Sequence, residues 1–551
     1  MQGHRRIELT VAAAALAAIC FVGLGAQGSQ QPADLVLRGG RVITLTPDGR
    51  VAEAIAVRGN QILFVGSDAE VRRFIGPKTR IVELHGRGVT PGFIDAHTHT
   101  EHTAEFLRFW VDVHSPPLPS TAAIIGAVRE RTKIVPPGTW VIGQGTFGQP
   151  MPMPEELTQA FPDHPVVLRW SRHQYVVNKR ALEISGITGT TPDPQGGKIE
   201  RGPNGEPTGM LHEAFDTLKI PPYPPAELKS AIEQTLRDYY LRQGVTSVYD
   251  MPGNQAIPQY WALHDEGKLA VRLRISYTMW PGSQSQMDLD SFLKSGLRPG
   301  MGDEWLKVGS VKLFIDGVDE NFKTPLPTLM SHVKRINAAG FQVLMHATST
   351  RAQDMALDAI EAALKDTPRP DARHRIEHLG GTLDVPRLER AKRLGAIVVP
   401  TPGGIQGGGG GQRGQGRQAP PARNPYHSLI AMGLRPPGNS DTAGTRTDMI
   451  DPMRNVYLLV TRINNRGTVV NPEERLSVID ALRVYTVFPA YASFEEKLKG
   501  TLEVGKLADL VVLSENPLTI VPERLKDIRV DVTVIDGVVK YARAQRLSHQ
   551  N

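Results

Sequence analysis

The chain has 551 residues, of which 40% are apolar and 22% are charged, and its formal net charge is +6. These proportions are typical of a soluble globular protein with one large domain and a smaller one. Three arginines of a single glycine-rich tract, Arg413, Arg417 and Arg423, supply half of the net charge. The charge therefore argues against a basic face that binds nucleic acid, and no nucleic acid partner is expected.

Residues 1–28 combine a basic start, an apolar run and an exit of small residues. This pattern is typical of a secretory signal and predicts a secreted or periplasmic protein, with an uncleaved N-terminal anchor as the alternative. Cys20, the only cysteine, lies inside this segment. A mature chain would then have no disulfide, no cysteine nucleophile and no thiolate metal ligand, which restricts metal ligands to His, Asp, Glu or a modified Lys.

Both ends of the remaining chain have the pattern of β-hairpins. Residues 34–66 break into short β-branched runs between Gly-Gly, Pro-Asp-Gly and Gly-Asn turns, and the runs DLVVL and VDVTVIDGVVKYAR lie near the C-terminus. Neither end holds enough apolar residues for a core of its own. We therefore predict one small β-sandwich domain built from residues 32–90 and 496–545.

Between these ends, strand-like runs such as GVTSVYDM, GSVKLFIDG and GFQVLMHAT alternate with helix-like stretches. This alternation predicts an α/β fold, a distorted (β/α)8 TIM barrel over residues 91–495. Residues of about 110–230 are rich in proline and irregular, which indicates an insertion within the barrel. Residues 403–423 are of low complexity and predict a flexible loop, with a mobile lid over the barrel mouth as the alternative.

The stretch VTPGFIDAHTHT, residues 89–100, places His97 and His99 one residue apart at the end of an apolar strand. Alternate residues of a strand face the same side, so both imidazoles can chelate one ion. An H-x-H pair at a strand end is typical of a divalent metal site. Further ligand-type residues follow at or near predicted strand ends, where the strands of a barrel converge. They are Lys312, His346, His378 and Asp441.

A set of motifs is distributed over nearly the whole mature chain, namely PGFIDAHTH, VVLRWSRHQYVVNKRALEISGI, TGMLHE, VKLFIDG, RIEH and GTLEVGKLADLVVL. With them the sequence resembles the metal-dependent amidohydrolase superfamily, and within it the amidohydrolase 3 branch that includes N-substituted formamide deformylases. The resemblance implies a distorted (β/α)8 barrel and a β-sandwich built from both chain ends. It also implies a hydrolase that uses one or two divalent metal ions.

The resemblance implies that His97, His99 and Asp441 hold one metal ion and that His346 and His378 hold a second. Lys312 would bridge the two ions as a carbamate. The apolar neighbours of Lys312 desolvate its amine, which lowers its pKa and favours a neutral amine that captures carbon dioxide. An ordinary lysine beside a one-metal site is the alternative.

The resemblance also assigns roles around the metal. Asp441 would carry the proton from the attacking water to the leaving group. His173 matches a family histidine and would bind the substrate or stabilise the developing oxyanion. Trp170 and Arg172 would shape the substrate pocket, and Glu213 would be a pocket carboxylate or would support another residue of the site.

The leading prediction is an amidohydrolase that cleaves a non-peptide C–N bond of a small amide, formamide or cyclic amide. An esterase acting on carboxylic or phosphate esters with the same site is one alternative, and an exported metal- or ligand-binding protein without activity is another. Zinc is the favoured cofactor, with iron, manganese and nickel left open. The expected partner is a small-molecule substrate, membrane contact is expected only through an N-terminal anchor, and a homo-oligomer stays open.

Overall fold

The computed structural model describes residues 31–146, 148–279, 287–378, 384–406, 424–442 and 446–543. The predicted signal segment, and all of the glycine-rich tract except residues 403–406, lie outside these ranges. Within them, no helix combines the length and the apolar character that crossing a bilayer requires.

Strands occur along the whole chain, and the longest of them lie in its central part. In chain order they are β1 (Leu35–Arg38), β2 (Arg41–Ile43), β3 (Val51–Ala52), β4 (Ala54–Arg58), β5 (Gln61–Gly66), β6 (Arg80–Glu83), β7 (Gly88–Pro91), β8 (Phe93–Thr98), β9 (Val111–Asp112), β10 (Val141–Gly145), β11 (Val166–Trp170), β12 (Gln174–Val177), β13 (Lys198–Arg201), β14 (Pro207–His212), β15 (Val245–Asp250), β16 (Arg272–Met279), β17 (Leu306–Phe314), β18 (Val343–His346), β19 (Arg375–Glu377), β20 (Ile397–Val399), β21 (Leu510–Leu513), β22 (Val530–Ile535) and β23 (Val538–Ala542).

Helices connect the central strands and cover their sheet. In chain order they are α1 (Asp68–Val71), α2 (Thr100–Phe109), α3 (Thr121–Thr132), α4 (Pro154–Ala160), α5 (Lys179–Ser185), α6 (Pro225–Thr235), α7 (Ile257–Asp265), α8 (Leu289–Lys294), α9 (Leu326–Ala338), α10 (Thr350–Asp366), α11 (Val385–Arg393), α12 (Tyr426–Ala431), α13 (Pro452–Thr461), α14 (Val478–Val484) and α15 (Val487–Ala492). Short 3₁₀ turns lie between them at Arg72–Phe74, Phe215–Thr217, Leu241–Gln243, Pro402–Ile405, Thr447–Ile450, Pro472–Glu474 and Pro522–Asp527, and a π-turn at Leu236–Tyr240 continues α6.

A seven-stranded sheet in the order β20-β19-β18-β17-β16-β15-β8 forms the centre of the molecule. All of its neighbouring strands are parallel. Strands β8, β15 and β16 are buried along their whole length, as expected of a parallel sheet with both faces covered. The α/β fold with a curled parallel sheet is thus confirmed.

An irregular segment, residues 438–442, lies beside β8 in the place of an eighth strand. Ala96 N donates to Gly438 O at 3.1 Å, Asp441 N donates to His97 O at 2.9 Å, and His99 N donates to Thr442 O at 2.7 Å. The side chain of Asn439 reaches the other margin of the sheet, where its Nδ2 donates to Pro400 O at 2.9 Å, just after β20. The segment therefore connects the first and the last strand of the sheet.

Residues between β8 and β15 contain a separate six-stranded sheet, in the order β13-β14-β12-β11-β10-β9. This sheet lies within the predicted insertion, and its apolar residues pack in two clusters of their own on its two faces. The turn between β11 and β12, residues 171–173, leads from this sheet to the candidate site.

The two chain ends form a four-stranded sheet, β5-β4-β1-β6, and a six-stranded sheet, β23-β22-β21-β7-β2-β3. The second sheet combines strands from both ends, because β21 pairs with β7. Residues of both sheets share one apolar cluster, which includes Leu37, Ile55, Val89, Leu510 and Val534.

Candidate metal centre

Six predicted ligand residues lie at one end of the parallel sheet. His97 lies in β8 and His99 follows it, Lys312 lies near the end of β17, His346 ends β18, His378 follows β19, and Asp441 lies in the segment that replaces an eighth strand. The carboxyl ends of parallel strands converge, and this is where barrel enzymes hold their reacting groups.

His97, His99 and Asp441 form the tightest group. Their candidate ligand atoms all lie within 4.8 Å of one another. Asp441 Oδ1 is 3.8 Å from His97 Nε2 and 3.6 Å from His99 Nε2. Both histidines are almost completely buried. Burial is the main reason that the pKa of each imidazole is well below its usual value, which leaves both rings neutral and able to donate an electron pair.

Hydrogen bonds fix the tautomers of these two histidines. His97 Nδ1 lies 2.6 Å from Glu377 Oε2, and His99 Nδ1 lies 3.3 Å from the carbonyl oxygen of Met251. Because a carboxylate and a carbonyl oxygen only accept, each Nδ1 carries the proton and each Nε2 is left as the ligand atom. The donor set of two imidazole nitrogens and a carboxylate therefore fits a divalent cation.

The carboxylate of Glu377 is fixed in turn by an ion pair with Arg375. The residue is fully buried, and both carboxylate oxygens accept hydrogen bonds from Arg375, from Nε at 2.6 Å and from Nη2 at 2.9 Å. Arg375 Nη2 also donates to the carbonyl oxygen of Ala96 at 2.8 Å. The pair thus connects β19 to β8 and orients the His97 ring across the interior of the barrel.

Lys312 is fully buried, with its Nζ 3.5 Å from His97 Nε2. The amine also lies 5.1 Å from the centre of the Phe314 ring. Burial lowers the pKa of this lysine to about 7, although the neighbouring carboxylates of Glu377 and Asp441 act in the opposite direction. A large fraction of the amine is thus neutral near neutral pH.

His346 and His378 lie together beside the first group. Their ring centres are 4.7 Å apart, and the His378 ring is 4.6 Å from the His97 ring. His378 Nδ1 lies 3.9 Å from Asp441 Oδ2. Both His378 and Asp441 have a positive φ, 63° and 49°, which bulky residues seldom adopt and which often marks a functional site.

Residues 80–541 match the sequence profile of the amidohydrolase family. The chain belongs to that family. An N-substituted formamide deformylase from Arthrobacter pascens is 29% identical to this amidohydrolase, over 93% of this chain and 99% of the relative. The family match confirms the resemblance read from the motifs, and the protein is an enzyme, an amidohydrolase.

Solved structures support the fold of this amidohydrolase. An uncharacterised metal-dependent hydrolase from Pyrococcus furiosus covers 88% of this chain and 100% of its own, with a TM-score of 0.64 and 22% identity. An adenosine deaminase from Xanthomonas campestris, solved with bound zinc, covers 93% of this chain and 94% of its own, with a TM-score of 0.58 and 15% identity.

His173 and Glu213 form a hydrogen-bonded pair beside the candidate metal centre of the amidohydrolase. His173 Nδ1 donates to Glu213 Oε1 at 2.7 Å, and the His173 ring centre is 5.7 Å from that of His346. The buried amine of Lys323 lies 3.6 Å from Glu213 Oε2 and donates to the carbonyl oxygen of Glu213 at 3.2 Å. Glu213 therefore orients the His173 ring.

The other two predicted pocket residues differ in their surroundings. Trp170 is half-buried and packs against an apolar cluster of the inserted sheet, where its Nε1 has no hydrogen-bond partner among the described residues. Arg172 lies in the turn after β11 and is half-buried. Its positive charge contributes, after burial, to the low pKa of the His99 imidazole. The substrate roles of both residues stay predictions.

The sequence reading did not single out Glu377, Lys323 or Asp316. Asp316 Oδ2 lies 3.7 Å from His346 Nε2, and its carboxylate accepts from the backbone N–H groups of Thr348 and Ser349 at the start of α10. The sequence of this amidohydrolase does contain a pattern that predicts the buried ion pair of Glu377. Arg375 and Glu377 are opposite charges two residues apart in a strand predicted to be buried on both faces, and buried charges are normally paired.

Proposed function

We propose that this amidohydrolase hydrolyses the C–N bond of a small amide, formamide or cyclic amide. One observation carries the proposal. At the carboxyl end of the barrel, the candidate ligand atoms of His97, His99 and Asp441 lie within 4.8 Å of one another, close enough to bind one ion. Lys312 and His378 lie beside them. The similarity to the Arthrobacter N-substituted formamide deformylase supports the choice of the C–N bond.

The six predicted ligand residues at the end of the parallel sheet would hold the metal. His97, His99 and Asp441 would bind one ion and His346 and His378 a second, with Lys312 as a bridging carbamate. A divalent cation, for which we favour zinc, supplies Lewis acidity that polarises a carbonyl group and makes water more acidic. The neutral amine of Lys312 supports carbamate formation, since it can attack carbon dioxide and release one proton.

Asp441 is proposed as the proton carrier. Burial raises the pKa of its carboxyl group to about 7, in spite of the positive charges of Lys312 and Arg172. As a carboxylate beside the proposed metal ligands, Asp441 would take a proton from the attacking water and give it to the leaving nitrogen. The water oxygen bonds to the carbonyl carbon, the C–N bond breaks, and the products are a carboxylic acid and an amine. His173, oriented by Glu213, would stabilise the negative charge on the carbonyl oxygen.

The esterase is the second candidate, because activation of water does not select the leaving group. The metal-loaded protein should be assayed against matched amides and esters that share one acyl group. The proposal expects turnover of at least one amide or formamide that is abolished by chelation and restored by zinc. Turnover of esters alone would replace the proposal with the esterase.

Three further predictions remain proposals. Residues 32–90 and 496–545 would form a β-sandwich domain, which the apolar cluster shared by the two terminal sheets supports. Residues 1–28 would direct export to the periplasm or the medium. The protein would act on a small-molecule substrate, either alone or as a homo-oligomer.

A further inference from the structure

A niche on one face of the inserted sheet contains a buried guanidinium, two of whose nitrogen atoms have no hydrogen-bond partner among the described residues. Arg169 of β11 is only 2% exposed, and its Nε and Nη1 atoms have no hydrogen-bond partner among the described residues. The guanidinium carbon lies 4.4 Å from the centre of the Trp110 ring and 4.8 Å from that of the Phe215 ring. Aromatic rings stabilise the cation but leave its N–H groups unsatisfied.

Two neighbours of Arg169 on the same sheet face complete the niche. Gln144 of β10 and Tyr175 of β12 are its register partners. Gln144 is 1% exposed, and its Oε1 also has no partner among the described residues, although its Nε2 donates to Gly145 O and Ser171 O. The niche therefore presents unsatisfied buried donors beside an unsatisfied acceptor, which points to a polar ligand.

No carboxylate of the described residues lies within ion-pair distance of Arg169. After burial, which lowers the pKa of Arg169, Tyr175 and the carboxyl group of Glu105 in α2 act in the opposite direction. Burial, together with the charge of Glu101, raises the pKa of Glu105 well above its usual value.

The niche adjoins the candidate metal centre. Arg169 lies in the strand that leads into the turn 171–173, and Gln144 and Tyr175 both hold this turn by hydrogen bonds to its carbonyl oxygens. Arg172 and His173 belong to this turn. The His173 ring centre is 5.7 Å from that of His346, and the charge of Arg172 acts on His99. His102, whose ring centre is 6.0 Å from that of the predicted ligand His99, experiences the positive charge of both Arg172 and Arg169.

We propose that Arg169 and Arg172 form an anion subsite that binds a carboxylate group of the substrate, remote from the bond that is cleaved. This inference rests on the proposed function and adds a substrate class to it, namely amides and formamides that carry a free carboxylate. Guanidinium groups bind carboxylates through short, charge-assisted hydrogen bonds. Gln144 Oε1 would accept from a polar hydrogen of the same substrate.

The test compares substrates that differ only in charge. 4-(Formamidomethyl)benzoate is paired with 4-(formamidomethyl)benzamide, and N-formylglycine with its primary amide, so that two spacings are covered. With the zinc-loaded full chain, kcat/KM should be at least tenfold higher for an anionic member than for its neutral partner. Arg169→Met and Arg172→Gln should each lower this ratio at least tenfold, because a hydrogen-bonded charge is lost.

Arg73→Met is the matched control. The Arg73 guanidinium also lies against two aromatic rings, those of Phe64 and Phe74, at 5.4 and 4.9 Å, but it belongs to the N-terminal sheet region. The control should keep the wild-type ratio. If the ratio is unchanged in both Arg169→Met and Arg172→Gln, the subsite does not exist. If Arg169→Met does not fold, Arg172→Gln decides the test.

A binding measurement separates this inference from the proposed function. Benzoate should raise the Tm of the wild-type protein, and the rise should disappear in Arg169→Met. If no probe is hydrolysed but benzoate binds in this way, the proposed function fails and the subsite stands. If the neutral probes are hydrolysed and benzoate has no effect, the subsite alone fails. An equal Tm rise with inorganic phosphate would also overturn the inference, because it indicates a general anion site.

Discussion

Replacing Glu377 with glutamine should weaken metal binding without removing any predicted ligand. In the native protein, Glu377 accepts a hydrogen bond from His97 Nδ1 at 2.6 Å and two from Arg375, at 2.6 and 2.9 Å. Glutamine has nearly the same shape but no charge, so the His97 ring loses the partner that fixes its tautomer. Loss of such a partner typically lowers metal affinity about 10- to 100-fold.

The same substitution should also destabilise the fold. Arg375 is 1% exposed and would remain as a buried charge without its carboxylate. Breaking a buried ion pair on one side costs about 3–5 kcal/mol of unfolding free energy. We expect a loss near the lower value, since the glutamine oxygen still accepts one hydrogen bond from the guanidinium.

Two assays separate these effects. Competition with a chromophoric chelator gives the zinc affinity, and urea denaturation of the metal-free protein gives the unfolding free energy. Glu130→Gln is the control, because Glu130 pairs with Lys133 on the surface, where both side chains are more than half exposed, and such pairs contribute at most about 1 kcal/mol. A Glu377→Gln protein that loses stability but keeps its zinc affinity within threefold would refute the role assigned to Glu377.

Three further substitutions test the other residues of the site. Asp441→Asn should lower kcat about 100-fold or more while zinc remains bound, as measured by elemental analysis beside steady-state kinetics; a kcat within threefold of the wild type would exclude Asp441 as the proton carrier. Lys312→Met should reduce the bound zinc from two ions to one per chain in the same analysis, and unchanged stoichiometry would contradict the bridging carbamate. Glu213→Gln should lower kcat/KM about 10-fold or more through a misoriented His173, with metal content unchanged; full activity would assign Glu213 to structure alone.

The meeting of the ligand-type residues at one end of the sheet could be predicted, because it follows from the local pattern of strands. Each apolar run marks a strand, and a parallel sheet brings the ends of its strands together, so residues as distant as His97 and His378 are expected at one end. The positions of His346 and Lys312 at or near the ends of β18 and β17 follow from the same pattern.

Contacts across the barrel interior could not be predicted in this way. Glu377 supports a histidine of a strand that is not its neighbour in the sheet, and neither periodicity nor spacing specifies which residues meet across a barrel. The irregular segment 438–442 was also difficult to predict, because its Gly-Asn-Ser-Asp sequence reads as a turn and its place beside β8 depends on long-range backbone hydrogen bonds.

The bonds of Asp441 N to His97 O and of His99 N to Thr442 O join residues more than 340 positions apart. A chain that is still being synthesised therefore lacks a complete candidate metal centre until residue 442 has emerged. Such distant pairings form slowly, because a long loop must close before any contact stabilises it. Binding of a metal ion would then be among the final steps of folding. It would stabilise the contacts between residues 97–99 and 441–442 on which it depends.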